Sequence, residues 1–180
     1  MHPARAQAER LREILGVTDH YFPTRLLDNV PHLRIEVVDD LPASGASFWG
    51  QGSWQIHVAA TEPWLAHRLT ILHELKHIID HPRQSDVYDE RAFVAYGERE
   101  LIADYFAGCV LVPDALLRKE YRQTPDFQKL AAVFSVSERR IRHRLSEIGL
   151  VDSLHSIPRR SYPTGDYVIP AERESERRTV

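Results

Sequence analysis

The sequence predicts an α+β domain in which a small N-terminal β-sheet packs on a mainly helical core that ends in a C-terminal helix pair. Three observations carry this reading. Strand-like segments and a glycine-bearing turn fall between residues 33 and 58, two long helical patterns follow between 61 and 112, and two shorter ones lie between 127 and 148. At 180 residues and 43% hydrophobic content the chain can build a real core. One domain over residues 1–151 is expected, with 152–180, rich in proline, arginine and glutamate, as a disordered tail.

The elements follow in order. Ala4 to Leu15 has a helical pattern closed by Gly16. Leu33 to Val38 alternates like a strand with one buried face. Ser47–Trp49 and Trp54–Val58 flank Gly50-Gln51-Gly52-Ser53, where glycine permits the positive φ of a tight hairpin turn. Thr61 as a cap and Pro63 in the first turn open a long helix that runs to about Asp80 and is ended by Pro82. After a polar connection over Arg83–Asp89, a second long helix spans Glu90 to Val112, interrupted or bent near Gly97 and stopped by Pro113. Asp114–Tyr121 is helical, and Phe127–Phe134 with Ser137–Ile148 forms the helix pair, Gly149 being its stop.

Composition narrows the function classes. A net charge of −3 argues against indiscriminate nucleic-acid binding. The single cysteine, Cys109, excludes an intrachain disulfide and fits a reducing compartment. The first twelve residues are charged and do not read as a secretory signal, and no stretch approaches the roughly 20 apolar residues of a membrane span, so a cytoplasmic protein is expected.

The chemistry lies in His73-Glu74-Leu75-Lys76-His77, an HExxH motif within the first long helix. Residues four apart stand one turn apart on one face, so both imidazoles can reach one zinc ion at about 2.0–2.1 Å. Glu74 projects beside that face, where a carboxylate can act as general base toward water, the chemistry of zinc peptidases. The competing reading is a pair of surface histidines on an amphipathic helix. A catalytic zinc usually has three protein ligands and an open position, so a third donor is needed. His81 is about 12 Å along the axis from His73, too far to share the ion. The metzincin spacing would need glycine and histidine where Asp80 and Arg83 stand. Glu98 and Glu100, on the next helix, lie about 160° apart around its axis, so only one can face the metal. Glu100 is the better choice, because Glu100 and Asp104 resemble the ExxxD of gluzincin peptidases, in which the glutamate ligates zinc and the aspartate orients a ligand histidine. Ala103, Ala107 and Gly108, near that face, would let the two helices approach closely.

Three segments together resemble the ImmA/IrrE family of bacterial metallopeptidases. They are Ile71–His77, Glu100–Ala107 running into Leu111-Val112-Pro113, and Leu130 to Leu150 with its Phe134-Ser135-Val136-Ser137 turn. Lys76 stands where the family usually has glycine, and a lysine there can sit on the solvent side of the helix. Asp104 replaces a common asparagine. No appended sensor domain and no complete N-terminal repressor-type DNA-binding domain is recognisable. The resemblance implies a zinc-metallopeptidase core and a narrow protease that cleaves a helix-turn-helix repressor.

Other readings stand beside this one. Arg139, Arg140, Arg142, His143 and Arg144 could make the second helix of the pair a DNA-recognition helix, but Glu138 and Glu147 dilute the basic run, and a structural pair is favoured. A donor for the developing oxyanion is expected among His143, Arg144 and Tyr105. His57 could line the cleft, and the Trp54–Val58 strand could pair with an extended substrate. Trp49, Trp54 and Trp64 read as core or hairpin packing, and Cys109 as a buried small hydrophobe. The alternatives to a protease are a non-catalytic repressor- or DNA-binding module with structural zinc, and a toxin-like partner of a DNA-binding antitoxin.

Overall fold

The computed structural model describes residues 3–81 and 92–152, with helical backbone but no side chains over 92–96. The expected polar connection and the tail beyond 152 lie outside these residues. Helix α1 (Pro3–Ile14) leads through a 3-10 turn (Thr24–Asn29) into strands β1 (Leu33–Val38), β2 (Gly45–Gly50) and β3 (Ser53–Ala59). Helices α2 (Trp64–Asp80), α3 (Ala92–Leu111), α4 (Asp114–Gln123), α5 (Phe127–Phe134) and α6 (Glu138–Glu147) follow. This is the expected α+β class, and among the described residues no helix is long and apolar enough to cross a membrane.

The sheet order is β1-β3-β2, with β1 parallel and β2 antiparallel to β3. The β2–β3 hairpin turns through Gln51 and Gly52, both at positive φ. β3 is therefore the central strand, hydrogen-bonded on both sides, so the expected pairing of Trp54–Val58 with a substrate is not available. Among the described residues the free edge beside α2 belongs to β2. Ile56 and Val58 are fully buried toward the helices. His57 alternates to the other face, where it meets Phe48 at 4.9 Å and Glu36 at 3.9 Å, so it does not line the α2 side.

α2 packs against β2 and β3 on one side and α3 on the other. That enclosure explains why Arg68 and the unbroken run Thr70–Lys76 are all buried. Its N-cap is Pro63 without a side-chain cap bond, so Thr61 does not cap it as expected. Lys76 is also not on the solvent side: it is 3% exposed, ion-paired with Asp80, and 6.0 Å from the Phe106 ring centre. α3 runs without interruption past Gly97.

Close approach of β2 to α2 depends on Gly45. A Cβ there would lie 2.3 Å from Thr70 Cγ2 and 3.2 Å from Glu74 Cγ and Oε1. Overpacking of this kind costs about 1–3 kcal/mol, so Gly45→Ala should lower unfolding free energy by that amount in denaturant titration. Adding Thr70→Ala removes the clashing methyl and should recover part of the loss. An unchanged midpoint for Gly45→Ala would contradict the tight strand–helix contact.

The helix pair is capped at its joints. Asp126 accepts from the backbone N–H of Gln128 and Lys129 at 2.9 and 3.1 Å, and Ser137 accepts from that of Arg140 at 3.2 Å. Ser135 closes α5 in the left-handed region, and its carbonyl accepts from the buried Arg68. Arg144 is fully buried, pairs with Asp114 and Glu147, and donates to the Val112 carbonyl at 3.3 Å. Gly108 makes room for it, since a Cβ there would stand 3.0 Å from Arg144 Cδ. Gly108 thus serves the α3–α6 contact, while Ala103 and Ala107 are fully buried.

Candidate metal centre

α2 and α3 bring three of the expected residues to one point. His73 Nε2 lies 3.0 Å from His77 Nε2 and 3.1 Å from Glu100 Oε2, and His77 Nε2 lies 3.2 Å from Glu100 Oε1. Two donors each about 2.0–2.1 Å from one zinc in tetrahedral geometry stand about 3.3 Å apart, so the observed spacing suits a shared ion. Among the described residues His73, His77 and Glu100 form a group able to hold a metal. Glu98 is exposed and outside it. His81 stacks edge-on against Trp54 at 4.8 Å instead.

Asp104 sets the orientation of the first histidine. His73 Nδ1 faces Asp104 Oδ1 at 3.1 Å, and when Nδ1–H donates there the neutral ring presents its Nε2 lone pair to the cluster. The electrostatics describe a cation site. Burial opposes charge on His73, but hydrogen bonds to Asp104 and Glu100 and the nearby Glu74 charge outweigh it and raise its pKa to about 9. Burial likewise works against the Glu100 carboxylate, yet hydrogen bonds from His73 and His77 bring its pKa down to about 2.

Zinc binding needs Nε2 of both His73 and His77 free of protons, so zinc affinity should rise with pH, the His73 share of that rise ending near pH 9. Glu100, ionised throughout this range, adds no slope. Competition with a chromogenic chelator from pH 6 to 9 checks this, and a flat profile would contradict it. The metal-free chain behaves oppositely. The His73 contribution to stability is complete below pH 6.5 and is lost as pH rises through about 9.

Glu74 sits one residue past His73, buried, with Oε2 accepting from Ser47 Oγ at 2.8 Å. Ser47 was not among the residues singled out from sequence; only the β2–α2 packing reveals it. The three oxyanion-donor candidates separate. Arg144 is enclosed by its own ion pairs and cannot serve. Tyr105 is hydrogen-bonded with Cys109, and its ring centre lies 5.4 Å from the Arg144 guanidinium. His143 is half exposed, 3.3 Å from Glu147 Oε1, and close enough to Asp104 to feel its charge; burial lowers its pKa despite both carboxylates. Of the three, Arg144 is the one its surroundings enclose.

Trp49 is 55% exposed at the end of β2, and its ring meets Trp54 at 5.6 Å, as hairpin packing predicts. Trp64 is exposed at the start of α2 and does not belong to the core. Cys109 is buried, which raises its thiol pKa to about 11.

The fold is shared with a solved structure, a Mycobacterium tuberculosis transcriptional regulator, at a TM-score of 0.63 and 21% identity. The match covers 81% of this chain and 47% of that one, so the chain spans about half the length of its structural neighbour. Comparison with curated proteins finds no match. The model of the IrrE N-terminal-like domain, a peptidase family, matches residues 32–146. That span runs from β1 through the HExxH helix and Glu100 to α6, and with it the chain belongs to the IrrE N-terminal-like domain family of peptidases.

Proposed function

We propose that this chain is a zinc-dependent endopeptidase whose substrate is a helix-turn-helix transcriptional repressor. The observation that carries the chemistry is the convergence of His73, His77 and Glu100 within 4.8 Å beside the buried Glu74 carboxylate. Among the described residues the donors are three, which would leave a fourth position for the reaction, whereas a structural zinc normally has four. Bound there, zinc would supply Lewis acidity toward a scissile carbonyl and acidify water toward a pKa of about 7. His73, His77 and Glu100 would hold the ion, Asp104 would fix the His73 tautomer, and the Glu100 carboxylate would offset part of the charge. Glu74 takes a proton from water as the carbonyl carbon is attacked and delivers it to the leaving amine nitrogen. His143, which feels the charge of Asp104 beside His73, and Tyr105 are the candidates to donate toward the developing oxyanion.

The substrate docks as an extended strand on the free edge of β2, whose Gly45 and Ser47 overlie Glu74. The repressor identity rests on the resemblance to ImmA/IrrE proteins. Direct DNA binding by the helix pair has less support, because Arg144 is buried and Arg142 lies 4.0 Å over the Phe127 ring and 3.8 Å from Glu138. The test is incubation of the zinc-loaded chain with purified helix-turn-helix repressors, read by mass spectrometry. Discrete fragments that vanish with a chelator are expected; binding without cleavage across the set would favour a non-catalytic module.

A further inference from the structure

We propose that Ser47 is a positioning residue for the general base, tying the Glu74 carboxylate to the strand on which substrate docks. The proposal rests on the peptidase reading above and adds a role for a residue on a different element from the HExxH helix. Strand alternation turns Gly45 and Ser47 toward α2, since they pair across the hairpin with Val58 and Ile56, both fully buried on that face. Ser47 Oγ donates to Glu74 Oε2 at 2.8 Å. The other oxygen, Oε1, lies 3.2 Å from where a Gly45 Cβ would be, so it packs against bare strand backbone. One oxygen is held by the hydroxyl and the other lies against the same strand, so the whole carboxylate is seated on β2. A glutamate has three side-chain torsions, and a hydrogen bond from a second element restricts them. Because the anchor is on the edge strand, a peptide that pairs with β2 meets a base already set relative to its own backbone.

The bland alternative is that Ser47 only helps seat β2 on α2. Acetohydroxamic acid distinguishes the two, because a hydroxamate chelates an open zinc site and gives its N–OH proton to a neighbouring base. Its affinity for the zinc-loaded full chain is measured by calorimetry, beside zinc content and unfolding midpoint for each variant. Ser47→Ala should keep zinc and weaken hydroxamate binding roughly tenfold, and Ser47→Thr, which retains the hydroxyl, should stay within about twofold of the parent. Glu74→Gln should weaken binding more, and adding Ser47→Ala to it should cost nothing further, because the two residues act through one contact. Ser47→Ala that binds like the parent, or an equal loss in both backgrounds, would overturn the positioning role while leaving the peptidase reading intact. A parent chain that takes up no zinc, or holds zinc but binds no hydroxamate, would overturn the peptidase reading and the Ser47 role with it.

Discussion

Glu74→Gln should bind zinc as the parent does and cleave its substrate roughly a hundred- to ten-thousandfold more slowly. The amide has nearly the shape of the carboxylate and can still accept from Ser47, so the contact between β2 and α2 should survive the change. What it lacks is a basic oxygen. Attack of water on a carbonyl then proceeds without a group to receive the proton, and the amine leaves without one to return it. Retained zinc with lost cleavage separates this effect from collapse of the site. Undiminished cleavage would remove Glu74 from the mechanism.

The second large effect is on the metal itself. Glu100→Ala should abolish stoichiometric zinc, and Glu98→Ala should leave it unchanged, because only Glu100 reaches both His73 and His77. Asp104→Ala gives an internal scale. It removes the partner of His73 Nδ1 without removing a donor, so it should weaken zinc by roughly ten- to hundredfold, less than loss of a ligand. Metal content after dialysis measures all three variants. Zinc retained in Glu100→Ala would mean that another group completes the site.

Much of this was legible in the sequence because it is local. The helical repeat alone places His73 and His77 on one face, and Leu33 to Val38 has the strand bounds expected of it. The choice of Glu100 over Glu98 drew on resemblance as well as helix phase, and the structure brings Glu100 to the histidines. What escaped depends on contacts between distant segments. Alternation along 54–58 shows that the strand has two faces but not that it is central, so strand pairing with a substrate was assigned to β3, when among the described residues the outer strand beside α2 is β2. The same gap put His57 toward the cleft and Lys76 toward solvent. Lysine in a helix usually reaches water, and only the enclosure of α2 between sheet and α3 explains a buried one with Asp80 as partner. Arg144 read as part of a basic run because nothing local announces that Asp114, 30 residues earlier, is waiting for it. Ser47 and Gly45 carry no motif at all. Their meaning comes from the line along which a strand crosses a helix.

X-ray absorption spectroscopy of the zinc-loaded chain tests most directly whether His73, His77 and Glu100 hold zinc with a position left open. The predicted result is one zinc with two imidazole nitrogens and one carboxylate as its protein donors, at about 2.0–2.2 Å, and a further site that changes its scatterer when acetohydroxamic acid is added. A shell of four protein donors that the hydroxamate leaves untouched would contradict it and make this a structural metal site in a binding module.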